Sequence, residues 1–220
     1  MGTMIEFLRP DGGKTQGYMA LAQRGRPGVV VIQEWWGLND QICGVVDRFQ
    51  RMGLNALAPD LYKGRVTGEP DEANHLMSGL DFAGATHQDL FGAALALKRE
   101  SGKIGVIGFC MGGALTIAAA VHIPDFSAAV DFYGIPPKDL ADPARIGVPF
   151  QGHFANRDDW CTPAAVNALQ KPLTAAGVQH EIYRYEAAHA FMNERSAAYD
   201  VASANLAWER MTTFLQSRLR

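Results

Sequence analysis

The sequence predicts an α/β fold: a mostly parallel central sheet with helices on both faces and an antiparallel hairpin at the N-terminal end. Three observations point there. Short apolar runs bounded by turn residues alternate with longer segments of helical period, the pattern of strands joined by crossover helices. The first two runs instead flank Asp11-Gly12, a tight-turn signal, and read as a hairpin. Finally, the strand "KIGVIGF" passes through a glycine-rich corner, "GFCMGG", directly into a helical segment.

Each element follows from its residues. "MIEFLRP" and "GYMALAQ" form the hairpin around "DGGKTQ". "GVVVIQ" is a buried strand, and residues 39–53 a helix capped by Asn39 or Asp40 and stopped by Gly53. "LNALAPD" is the next strand, ended by Pro59. After the polar loop "LYKGRVTGEPDE", helices cover Asp71 to Ser78 and Thr86 to Glu100 and lead to "KIGVIGF". Beyond the corner helix "ALTIAAAVH", the strands "FSAAVDFYG", "GVPFQGHFA" and "VQHEIYRY" enclose the helix "PAAVNALQKPLTAAG", and residues 196–219 close the chain as a helix. With no internal repeat and no low-complexity linker, residues 1–220 read as a single domain.

Composition narrows the function. At 48% hydrophobic and 20% charged residues, the 220-residue chain has ample material for a core. A net charge of -3 without a Lys or Arg run argues against nucleic acid or a membrane surface as partner and leaves a small molecule. No apolar segment approaches the ~20 residues that span a bilayer. The 3 cysteines lack a framework spacing, and "MGTMIEFLRPDGG" lacks a basic segment followed by an apolar one. A cytoplasmic monomer is expected.

The chemistry centres on Cys110. Gly108, Cys110 and Gly112 give G-x-C-x-G, the nucleophile-elbow pattern with sulfur in place of the serine oxygen. A sharp strand-to-helix turn exposes the sulfur and sets it at a helix N-terminus, whose partial positive charge favours a thiolate. The N–H of Met111 would then form half of an oxyanion hole. Two other readings compete. Free cysteine often packs as a small hydrophobe, and a strand, a glycine turn, a helix and then "AAVD" ending in Asp131 imitate a dinucleotide-binding unit. Gly105, Gly108, Gly112 and Gly113 cannot, however, be laid on G-x-G-x-x-G.

A nucleophile on this fold needs an acid and then a histidine, each in a loop after a later strand. Asp158 or Asp159 in "NRDDWCTP" fits the first and His189 in "EAAHAFMN" the second, with Asp131 a weaker acid candidate. His75, His87, His122, His153 and His180 lie in or beside helices and strands, and Cys43 and Cys161 read as packing residues. No histidine or cysteine spacing fits a metal site, so neither metal nor cofactor is expected. Glu34 ends the first parallel strand and rises toward the same crevice, although its charge would disfavour a thiolate nearby. The N–H of the adjacent Trp35 is the candidate for the second half of the oxyanion hole.

With these motifs assembled, the chain resembles the dienelactone hydrolase family of the α/β-hydrolase superfamily over nearly its whole length. The resemblance is carried by "QEWWGLN", "NALAPDLYKG", "GFCMGGAL" and the pair "HFANRDDW" and "EAAHAFMN", in that order. It implies Cys110 as nucleophile, Asp158 as the acid, His189 as the base, and Glu34 as a carboxylate that holds the resting thiol neutral until substrate displaces it. It also implies an ester or lactone substrate, an acyl-thioester intermediate and no cofactor.

The departures concern specificity. The family arginine four residues after the histidine is here Asn193, the stretch "GEPDEANHLMSGLD" ahead of the elbow carries no arginine, and Arg65 and Arg195 remain as replacements. The expectation is therefore a neutral ester or lactone, bound by Asn193 and by walls drawn from Trp36, Tyr133, Trp160 and Phe191. A thioesterase or broad esterase on neutral acyl substrates is the alternative within enzymes. A redox-responsive binding protein that oxidises Cys110 is the alternative outside them.

Overall fold

In the computed structural model, which describes residues 1–220, the apolar runs form one eight-stranded sheet. The strands are β1 (Thr3–Leu8), β2 (Lys14–Ala20), β3 (Gly28–Ile32), β4 (Asn55–Pro59), β5 (Ile104–Phe109), β6 (Phe126–Phe132), β7 (Phe150–Arg157) and β8 (His180–Ala188). They lie in the order β1-β2-β4-β3-β5-β6-β7-β8. The hairpin pairs antiparallel, β2 joins β4 antiparallel, and every pairing from β4 onward is parallel. This is the α/β arrangement the sequence predicts.

The helices are α1 (Asp40–Arg51), α2 (Pro70–Ser78), α3 (Phe82–Gly84), α4 (Phe91–Glu100), α5 (Met111–His122), α6 (Pro163–Ala175) and α7 (Val201–Arg218). Strand alternation divides the core into two layers. Val29 and Val31 of β3 pack with Phe49 of α1 and Trp208 of α7, whereas Val30 and Ile32 pack with Leu97 of α4, Leu115 of α5 and Val166 of α6. The central strands are apolar on both faces because both are covered.

Caps decide the helix starts. Asn39, not Asp40, caps α1, its side chain accepting from the N–H groups of Gln41 and Ile42 at 3.1 Å each. Two starts differ from the sequence expectation. The last helix begins at Val201 rather than 196, because Asp200 accepts from Ser203 N and stops the turn before it from joining. The helix expected from Thr86 begins instead at Phe82 under an Asp81 cap and passes through a π-turn, Ala85–Leu90, into α4. Thr86 lies inside this run with its hydroxyl bonded to Phe82 O at 2.8 Å.

Four parallel strands, β3, β5, β7 and β8, end just before Gln33, Cys110, Asp158 and His189, and β6 ends before Tyr133. The sheet's carboxyl edge thus gathers residues far apart in sequence. No helix is long and apolar enough to cross a membrane.

One buried group ties fold stability to pH. His153 of β7 is fully buried between the rings of Phe132 and Tyr183. Gln151 gives its amide N–H to Glu181, so its oxygen faces His153 Nε2 at 2.8 Å and accepts a hydrogen bond from the Nε2–H, leaving Nδ1 to accept from Tyr185 Oη at 2.7 Å. The imidazole is therefore neutral, and burial, helped by nearby Arg210, lowers its pKa from 6.5 to about 3. The unfolded chain takes up a proton below about pH 6.5 that the folded chain refuses, so stability falls as pH drops from about 6.5 toward 3. This residue alone sets a slope approaching ~1.4 kcal/mol per pH unit. Urea unfolding between about pH 7 and 5 checks it. His153→Gln is expected to be less stable at neutral pH but to lose stability less steeply on acidification; parallel curves for the two proteins would contradict the assignment.

Candidate active site

The corner between β5 and α5 is a backbone reversal at a single residue. Cys110 has φ 55° and ψ -116°, a left-handed conformation that costs a non-glycine residue roughly 1–3 kcal/mol. Neighbouring backbone compensates: Cys110 N–H donates to Phe132 O at 2.9 Å, and Cys110 O accepts from Gly113 N at 2.9 Å. The turn needs space as well. A Cβ on Gly108 would collide with the carbonyl of Gly112, one on Gly112 with Ile32 and Gln33 carbonyls, and one on Gly134 with the carbonyl of Cys110. Gly108 and Gly112 are legible in the motif; Gly134, from the loop after β6, is not.

The residues predicted to act together do converge. His189 Nδ1 lies 2.7 Å from Asp158 Oδ2, and His189 Nε2 lies 3.2 Å from Cys110 Sγ. Asp158 Oδ1 accepts from the N–H groups of Trp160 and Cys161 at 2.8 and 2.9 Å. Those bonds select Asp158 over Asp159, which is exposed. Burial would raise the Asp158 carboxyl, but its bond to His189, the charge there and the two N–H groups outweigh it and hold the pKa below the usual value. Asp131 is fully buried, with Oδ1 accepting from Gly134 N at 3.0 Å, and makes no bond to His189.

The thiol itself is shifted the other way. Cys110 is 8% exposed, and burial, then the charge of Glu34, push its pKa well above the usual thiol value, only partly opposed by the N–H of Met111. Met111 is the first residue of α5, so the helix N-terminus does face the sulfur. Desolvation outweighs the helix contribution.

Glu34 is 2% exposed and bonded twice: Tyr133 Oη donates to Oε1 at 3.1 Å and Asn193 Nδ2 donates to Oε2 at 2.6 Å. Burial raises its pKa against those bonds and His189. The Glu34–thiol hydrogen bond implied by the family resemblance is not made in this structure, since both carboxylate oxygens face Tyr133 and Asn193 and the thiol faces His189. Asn193 is thus occupied as a donor to Glu34 and, through Oδ1, an acceptor from Arg195 N at 2.9 Å.

A cleft of about 720 Å³ opens over this row, with Glu34, Trp35, Trp36, Cys110, Trp160 and His189 on its walls. Trp160 packs edge-on against both His189 and Trp35, at 4.9 and 5.3 Å between ring centres. Phe191 corrects an expectation. It is fully buried between Tyr133 and Tyr185 and does not reach the cleft, because an aromatic following a strand end was drawn into the core. Tyr133 reaches the site from below, its ring 5.1 Å from that of His189. Of the two arginines, Arg195 lies on the cleft wall and contacts Asp40 at 3.6 Å, whereas Arg65 pairs with Glu72 away from it.

Residues that lie in the quoted motifs without an assigned supporting role tie the floor together. Tyr62 Oη donates to Met111 Sδ at 3.2 Å, and Leu61 N–H donates to Gln33 Oε1 at 3.2 Å, which ties the "DLYKG" loop beneath the elbow. The other histidines are engaged elsewhere or exposed: His122 bonds Leu140 O and packs edge-on against His87, His180 bonds Val178 O, and His75 is exposed on α2. Cys161 is buried with its thiol on Tyr133 O, and Cys43 is half-buried in α1. No group of three or more His, Cys, Asp or Glu side chains is arranged to hold a metal ion.

Comparison with known proteins places the chain in a family. The chain is 36% identical to "Protein usf" of Aquifex pyrophilus and 32% identical to the "Putative carboxymethylenebutenolidase" of Aquifex aeolicus, in both cases over the full length of both chains. Its fold superposes with a TM-score of 0.87 on a dienelactone hydrolase-like promiscuous phosphotriesterase from metagenomic libraries, at 23% identity, covering 100% of this chain and 99% of that one. The model of the dienelactone hydrolase family matches residues 15–219. The chain therefore belongs to the dienelactone hydrolase family and is a hydrolase of ester or lactone bonds.

Proposed function

We propose that the chain hydrolyses small carboxylic esters or lactones through a Cys110–His189–Asp158 triad and an acyl-thioester intermediate. The observation that carries this reading is the unbroken row of hydrogen bonds from Asp158 through His189 to Cys110 Sγ, at 2.7 and 3.2 Å, on the wall of an open cleft. An oxidation sensor needs neither the acid nor the base.

In this reading His189 Nε2 accepts the Sγ proton as sulfur attacks the carbonyl carbon. The carbonyl electron pair moves onto oxygen, which the N–H groups of Met111 and Trp35 hold. Collapse breaks the ester C–O bond, and the leaving alkoxide takes the proton from His189. A water then gives a proton to His189 and attacks the thioester; the C–S bond breaks, the acid leaves and the thiolate recovers its proton. Asp158 accepts the Nδ1–H throughout, fixing the tautomer and stabilising the imidazolium.

Glu34 sets the resting state. The burial of Cys110, and after it the charge of Glu34, keep the free thiol protonated, so the thiolate forms only as His189 takes the proton during attack. The conformation described here, with Glu34 turned to Tyr133 and Asn193, is the one that leaves Sγ free to meet His189. Asn193 then acts by placing Glu34 rather than by clamping a substrate carboxylate. Trp36, Tyr133 and Trp160 favour a neutral substrate, and we read the chain as one domain that works as a monomer in the cytoplasm.

Cys110→Ala is expected to lower kcat/KM on a short-chain aryl ester by about 10³-fold or more. The wild type should turn over that ester faster than dienelactone, because Asn193 stands in for the arginine. Retained activity in Cys110→Ala would overturn the triad.

The raised thiol pKa gives a second test. Alkylation of Cys110 by iodoacetamide, mapped by mass spectrometry, is expected to rise with pH and show no plateau below about pH 9. Glu34→Gln removes the second-largest cause of the shift and should speed alkylation several-fold at about pH 8. A rate already flat from about pH 5 would instead indicate a preformed thiolate–imidazolium pair.

A further inference from the structure

Two clefts, not one, meet at Cys110. Besides the 720 Å³ cleft, a second of about 220 Å³ reaches the sulfur from the α5 side. The two share Cys110, Trp160 and His189 and no other residue, so Trp160, 58% exposed, stands as the partition between them. Their chemistry differs. The larger carries Glu34, Asn39, Thr67, Asn193, Arg195 and Ser196 among its walls. The smaller is bounded by Met77, Phe82, Ala114, Ile135 and Pro137, and its polar groups are already bonded within the protein: Tyr133 Oη to Glu34 and the Cys161 thiol to Tyr133 O.

Apart from the shared Cys110 and His189, the smaller cleft is walled by hydrocarbon and offers no charged side chain to a hydroxyl or carboxylate, so desolvating such a group there would go uncompensated. It rewards apolar area. A dry cavity of about 150 Å³ holds a benzene ring, so a cleft of about 220 Å³ has room for a phenyl or hexyl group.

We propose that the substrate is an asymmetric ester, with a phenyl- to hexyl-sized apolar group in the Met77–Phe82–Ala114–Ile135 cleft and a polar group in the Trp36–Asn193–Arg195 cleft. The scissile carbonyl lies between them at Cys110. This rests on the hydrolase reading above and adds the substrate class. Ala114 and Ile135 are its specificity-determining residues, since larger side chains there fill the smaller cleft and neither residue belongs to the triad or bonds Glu34.

Three esters test it, with acid release followed at constant pH: 2-hydroxyethyl acetate, 2-hydroxyethyl hexanoate and hexyl hydroxyacetate. The wild type is expected to prefer one of the two hexyl-sized esters over the acetate by at least tenfold in kcat/KM, and which one it prefers reveals whether acyl or alcohol enters the cleft. Ala114→Phe should reduce that ratio at least tenfold, and Ile135→Trp provides an independent variant should the first not fold, with thermal melting as the control. A wild type without the preference, or a preference unmoved in both folded variants while Cys110→Ala is inactive, would overturn the proposal and leave the triad standing. Turnover surviving Cys110→Ala would instead remove the triad and this proposal with it.

Discussion

The site depends on one backbone reversal. At Cys110 the chain leaves the centre of the sheet and enters α5 within a single left-handed residue. That turn brings the sulfur above the sheet's carboxyl edge and leaves its backbone in contact with three neighbours. Gly108 and Gly112 remove side chains from the inside of the turn, and Gly134 removes one from the adjoining loop. Without them α5 could not lie so close to β3 and β6, and the sulfur would not meet His189. The strain is local, and it is offset by backbone bonds to Phe132 at the end of β6 and from Gly113 and Ala114 in the first turn of α5.

Electrostatics then sets what the sulfur does at rest. A helix N-terminus favours a thiolate, yet burial and Glu34 act in the opposite sense and prevail. The outcome is a neutral thiol beside a histidine held by an ionised aspartate. Such an arrangement suits a nucleophile that should stay unreactive toward stray electrophiles and oxidants until a carbonyl is in place. Burial of Glu34 has a cost of its own, met by Tyr133 and Asn193. The carboxylate is thus held by residues from two other loops, so its orientation and that of the thiol are set together.

Much of this was legible in the sequence, for identifiable reasons. The strands next to the elbow are continuous apolar runs because both sheet faces are covered, and the elbow shows itself because a tight turn demands glycine at fixed spacing. Helix starts were less legible. Asp81 and Asp200 cap helices that periodicity alone placed elsewhere, and the π-turn at Ala85–Leu90 has no periodic signature. Residue roles set by distant partners were least legible. Asp158 and Asp159 are adjacent and alike until His189 and the N–H groups of Trp160 and Cys161 select one. Asn193 is legible only as the residue at the family arginine position, since its bond to Glu34 joins residues far apart in the chain, and Phe191 looked like a wall because nothing in the sequence distinguishes a cleft-facing aromatic from a core one.

The most direct measurement is rapid quenching of the wild-type enzyme during turnover of a slowly hydrolysed ester, followed by intact-protein and peptide mass spectrometry. The account predicts a transient mass increase equal to the acyl group, located on Cys110 and released by hydroxylamine as a thioester is. Steady turnover with no adduct on Cys110, or with the acyl group on another residue, would contradict it.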